Sequence, residues 1–133
     1  MTDDGFRPTI YPTLRYADAP AAIRFLTEVF GLAEHLVVRG EDGTIDHAEL
    51  SWGPCMVMFG SASDEEYGQP AVGGPGLYLV VADVDAHHTR VVAAGAPILR
   101  PLADTDYGSR EYTTRDPEGN LWTFGTYQPT VDG

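Results

Sequence analysis

A chain of 133 residues, 43% of them hydrophobic, can bury about two-thirds of its unfolded surface in one domain, and it holds no apolar run of membrane-spanning length. Its net charge of −12, with a pI near 4.4, repels nucleic-acid phosphates and leaves neutral or cationic small molecules as natural partners. There is no lysine, which excludes Schiff-base chemistry by that residue, and a single cysteine, Cys55, excludes an internal disulfide. The acidic opening MTDDGFRP has no hydrophobic segment, so the expected location is the cytoplasm.

Ile10, Pro12, Leu14 and Tyr16 alternate with Tyr11, Thr13 and Arg15, the period of a strand. Asp18 is placed to cap a helix, Pro20 falls in its first turn, and Ala22, Ile23, Leu26, Val29 and Phe30 recur at helical spacing before a Gly31 stop. Strands are then expected over Ala33–Arg39, Thr44–Trp52 and Cys55–Gly60, the last two joined by Gly53-Pro54. Residues 61–75 carry Gly, Pro, Ser and charge without periodicity and read as a linker, in which Tyr67 is a candidate lid.

The plan then repeats. Leu77–Gly95 gives a strand, an Asp83 cap, a helix with Val84, Val91, Val92 and Ala94 on one face, and a Gly95 stop. Strands over Pro97–Leu102, Arg110–Arg115 and Leu121–Tyr127 follow, the last pair joined by the Asp116-Pro-Glu-Gly-Asn120 turn. Glu49 to Phe59 and Thr114 to Phe124 are both ten steps, so Thr114 is expected to stand where Glu49 stands in the first half. The fold class is α+β: two tandem βαβββ modules, about residues 9–60 and 76–127, within one domain spanning 1–133. Their curved mixed sheet is expected to enclose a cup, with the helices on the outer face.

Leu14-Arg-Tyr-Ala-Asp18, the Val29-Phe-Gly31 helix end, His47-Ala-Glu-Leu50, Ala82-Asp-Val-Asp85 and Asp116-Pro-Glu-Gly-Asn-Leu-Trp122 resemble the vicinal-oxygen-chelate superfamily of glyoxalases, bleomycin resistance proteins and extradiol dioxygenases. The resemblance implies a homodimer. It also implies a divalent-metal site in catalytic members, which carries over to Tyr11, His47 or Glu49, Gly76 and Thr123. Gly76 has no ligating side chain and Thr123 is a poor ligand, so no metal and no cofactor are expected.

His47 and Glu49 share one strand face, as an acid–base pair, a polar anchor or a mutually satisfied structural pair. Tyr11, Thr13, Arg15, Trp52, Met58, Tyr78, Tyr107, Arg110, Tyr112 and Thr123 join them as candidate lining of the cup. Trp122 and Phe124 take the helix-facing parity. His87 and His88, adjacent on the second helix, point about 100° apart, and at least one is expected at the surface. Cys55 reads as a small core or rim residue. Two functions stay open: a metal-independent binder of a small hydrophobic or aromatic ligand, cationic ones included, of the bleomycin-resistance type, and a lyase, isomerase or dioxygenase using atypical ligands or His47 and Glu49.

Overall fold

The computed structural model describes residue 8 and residues 10–62 and 76–129, so the Tyr67 candidate lies outside the described residues. The chain divides into two compact units, Met1–Gly74 and Pro75–Gly133. Each is a βαβββ module with one four-stranded mixed sheet, so the α+β class and the tandem plan hold.

In the first unit, β1 (Thr13–Tyr16), β2 (Ala33–Arg39), β3 (Ile45–Trp52) and β4 (Cys55–Ser61) take the order β1-β4-β3-β2. The first strand starts three residues later than its alternation predicts. Pro12 has no N–H to give a ladder, and only its carbonyl is used, accepting from Met58 N at 3.0 Å. Asp18 caps α1 (Ala19–Phe25) by accepting from Ala21 N at 3.1 Å. The helix then widens into a π turn over Leu26–Phe30, where Gly31 N and Leu32 N both donate to Leu26 O at 3.0 Å. Gly31 ends it at φ +94°, a conformation that a β-carbon penalises. Ala22, Ile23, Leu26 and Phe30 are buried, with α1 against β1 and β4. From the sheet, Leu14, Tyr16, Ala48, Leu50, Val57 and Phe59 complete this core, Tyr16 meeting Phe59 edge-on at 4.9 Å.

The second unit repeats the order with β5 (Gly76–Val80), β6 (Ile98–Asp104), β7 (Arg110–Arg115) and β8 (Leu121–Gly125), as β5-β8-β7-β6. Asp83 caps α2 (Val84–Ala93) through Ala86 N at 3.0 Å, and Gly95 follows it at φ +86°. The buried stripe of α2 is Val84, His87 and Val91, whereas Val92 is 48% exposed and Ala94 is exposed too. The helix is therefore turned relative to the predicted apolar face. His87 can occupy the core because its Nδ1 is 2.6 Å from the Tyr112 hydroxyl and its ring is 4.1 Å from that of Phe124.

The two modules differ by one residue in register. Leu79 pairs with Phe124 as Leu14 pairs with Phe59, both partners 65 residues on. Yet Tyr112 pairs with Phe124 as Ala48 pairs with Phe59, only 64 residues on. The cause is the hairpin. Trp52 and Cys55 pair across the two residues Gly53-Pro54, while Asp116 N bonds Asn120 O at 3.0 Å across three. Since side chains alternate with period two, one residue exchanges the faces of β7. The counterpart of Glu49 is thus Thr113, not Thr114, and that of His47 is Glu111.

Candidate functional site

Each helix covers one face of its sheet; the candidate chemistry stands on the other. In the first unit, Thr13, Arg15, His47 and Met58 line a cleft of about 290 Å³, with Leu14, Asp46 and Phe59 at its margins. Arg15 lies across Gly60: a β-carbon built there would come within 2.8 Å of Arg15 Nη1. His47 Nε2 is 2.9 Å from Glu49 Oε2, and His35 Nε2 is 3.8 Å from the other Glu49 oxygen. A register break between Glu34 and Leu36 sets His35 beside Glu49.

The larger cavity belongs to the second sheet. It measures about 570 Å³, with Gly76, Leu77, Tyr78, Leu99 and Leu121 beside the polar Arg100, Glu111, Thr113 and Thr123. The Thr113 and Thr123 hydroxyls are 2.8 Å apart. Tyr78 donates to the Tyr127 carbonyl at 2.7 Å and packs over Gly125, where a β-carbon would meet its hydroxyl at 2.7 Å and Glu111 Cβ at 2.8 Å. Glu111 is only 4% exposed; its Oε2 accepts from Arg100 Nη2 and from the Tyr107 hydroxyl, both at 2.8 Å. Burial works against ionisation of Glu111. The polar groups of Arg100, Tyr107 and Ser109, with the Arg100 charge, outweigh it and hold the pKa below the ordinary glutamate value. The same contact with Glu111, then desolvation, raises the Tyr107 phenol above its ordinary value.

Thr13, Arg15, His47, Glu49 and Met58 therefore share one open face, and Tyr78 and Thr123 share the other, with Tyr107 reaching its buried carboxylate. Two predicted lining residues are corrected. Tyr112 is wholly buried on the helix side of β7, bonded to His87 and stacked on Phe124 at 5.7 Å, and burial pushes its phenol well above the usual range. Arg110 has the same parity and is committed to Asp85 Oδ1 at 3.1 Å and Asp104 Oδ1 at 3.2 Å. Trp52 closes β3 on the parity of the buried Leu50, and Tyr11 is an exposed residue ahead of β1; neither lines either cavity. Cys55 is exposed beside its turn, which removes the core alternative. Glu111, Arg100 and Thr113 went unrecognised in the sequence. For Glu111 and Thr113 the signal was the length of the Asp116–Asn120 turn, which sets the parity of β7, whereas Arg100 comes from β6 at a break in its register.

A divalent metal, which the resemblance implies for catalytic members, does not fit these residues. Gly76 offers no donor, Thr123 Oγ1 is shared with Thr113, and His47 and Glu49 bond each other. Among the described residues, no group of three or more His, Cys, Asp or Glu is arranged to hold an ion. Among them, too, no helix is long and apolar enough to cross a membrane.

Comparison with known proteins agrees with this architecture. The chain is 37% identical to TioX from Micromonospora sp. ML1, whose crystal structure superposes with a TM-score of 0.77, covering 93% of this chain and 100% of that one. An uncharacterised protein of Mycobacterium bovis is 33% identical over 125 residues, covering 89% of this chain and 82% of the relative. A superfamily member from Sphaerobacter thermophilus shares the fold at a TM-score of 0.72 with 17% identity, over 92% of this chain and 98% of that one. The sequence pattern of the Glyoxalase/Bleomycin resistance protein/Dioxygenase superfamily matches residues 10–124, and the chain belongs to that superfamily.

Proposed function

We propose that this chain is a metal-independent small-molecule binding protein of the bleomycin-resistance type, which sequesters a hydrophobic or aromatic compound, cationic ones included. The observation that carries the reading is the second-sheet cavity of about 570 Å³, within the size range of ligand sites, with apolar and aromatic walls around a few polar groups. The reading takes the two units as duplicated halves of one domain, working in the cytoplasm as a homodimer. Tyr78 and Thr123 serve as ligand contacts, with Thr13, Arg15, His47 and Met58 lining the smaller cleft and Glu49 on the same face beside His47.

A second reading rests on one contact. Glu49 lies 2.9 Å from His47 and 3.8 Å from His35, an arrangement able to move a proton on a bound substrate. His47→Ala separates the two. A binder keeps its affinity within a few-fold, measured by calorimetry against the best compound from a thermal-shift screen of aromatic and cationic molecules. An acid–base enzyme loses ~10²-fold or more in rate. Turnover of a substrate, with no compound bound at saturating concentration, refutes the binding reading.

A further inference from the structure

Glu111 is more than nine-tenths buried, lines the larger cavity, and uses only half of its carboxylate. Oε2 takes both hydrogen bonds, from Arg100 and Tyr107; Oε1 is buried with none. Ser109, the other hydroxyl near the carboxylate, accepts from Tyr127 N at 3.2 Å and makes no well-formed bond to Oε1. Buried acceptors almost always find a donor, so an unused carboxylate oxygen at the wall of a cavity is a vacancy for one. The carboxylate already faces the Arg100 guanidinium, so what Oε1 lacks is a hydrogen-bond donor rather than a second full charge.

We infer that Glu111 Oε1 is the anchor of a specificity subsite that takes the N–H of an amide or aromatic amine carried on a flat, largely apolar body. The inference rests on the binding reading above and narrows its ligand class. Leu99 and Leu121, at 44% and 41% exposure, and Tyr78, at 39%, offer the apolar surface for that body. Gly76 leaves the wall open beside Leu121, since a β-carbon there would only touch Leu121 at 3.7 Å. Tyr78 packs next to Glu111 over Gly125, and Tyr107 reaches the carboxylate from a turn, so entry of the donor to Oε1 requires one of these two exposed rings to turn aside.

The test compares two planar probes of similar size on the unmutated chain, 2-naphthamide and methyl 2-naphthoate, the second lacking the N–H. Binding is followed by amide chemical shifts of ¹⁵N-labelled protein. The amide should bind roughly 5–10-fold tighter, as expected for one added hydrogen bond, with shifts at Glu111, Thr113, Thr123 and Tyr78. Glu111→Gln, whose folding the same spectra report, should erase the preference. Equal affinities with shifts on this face overturn the Glu111 anchor and leave the binding reading standing. Shifts confined to Thr13, Arg15, His47 and Met58 also overturn the anchor. Silence of both sheets toward both probes overturns the anchor and the binding reading together.

Discussion

Asp116 holds the turn that sets the face of β7, and replacing it with asparagine tests how firmly. The residue is 2% exposed, and its carboxylate accepts at least four hydrogen bonds. Oδ1 takes Glu118 N at 3.0 Å and Asn120 N at 3.1 Å; Oδ2 takes Asn120 Nδ2 and Trp122 Nε1, both at 3.0 Å. Asp116→Asn keeps the shape but brings an NH₂ group, and whichever way the amide turns that group faces two donors. Two bonds to a charged acceptor are lost, at about 1.5–3 kcal/mol each, offset in part because no charge remains to be desolvated. We expect a loss of about 3 kcal/mol, a large share of the ~5–15 kcal/mol that keeps a domain folded, and a fall in Tm of roughly 10 °C. Urea unfolding followed by Trp122 fluorescence in a Trp52→Phe background, alongside circular dichroism, reads the second unit directly. A loss below ~1 kcal/mol would refute the claim that this carboxylate holds the turn.

Two further predictions concern the open faces. Glu111 has its folded pKa below the ordinary value, so its stabilising contribution is present above the unfolded glutamate pKa of about 4.3 and disappears as pH falls through the lower folded value. Urea midpoints measured from pH 7 down to 3 should therefore fall more steeply for the native chain than for Glu111→Gln, and parallel profiles would contradict the assignment. Gly60→Ala would set a β-carbon 2.9 Å from the Asp46 carbonyl oxygen and 3.3 Å from that of Ile45, contacts that backbone cannot readily yield. It should cost about 1–3 kcal/mol in chemical denaturation and displace Arg15 from the smaller cleft. A variant as stable as the parent would show that this strand has slack.

Much of the fold was legible because its signals are local. The Asp18 and Asp83 caps, the Gly31 and Gly95 stops, and the bounds of β2 and β7 all came from short-range chemistry. What was hidden depends on partners distant in sequence. Nothing beside His87 announces that Tyr112, 25 residues on, waits to bond it, so the sequence does not say which of His87 and His88 leaves the surface. For the residues of β7 the difference comes from a single step. Matching Thr114 to Glu49 assumed hairpins of equal length, and the extra turn residue moved Arg110 and Tyr112 to the helix side and Glu111 and Thr113 to the open face. Thr123 and Tyr78 stand together on the open face because β5 and β8 keep the 65-residue spacing without interruption.

The outermost antiparallel strands bear on how such a chain avoids sticking to its neighbours. β2 breaks step with β3 between Glu34 and Leu36 and again between Val38 and Arg39; β6 does the same against β7 around Arg100, and carries Pro101. A strand from another molecule needs an evenly spaced row of free peptide groups to add itself to a sheet, and neither border supplies a long one. Leu36 and Val38, both 43% exposed, can thus sit at such a border without seeding fibrillar stacking.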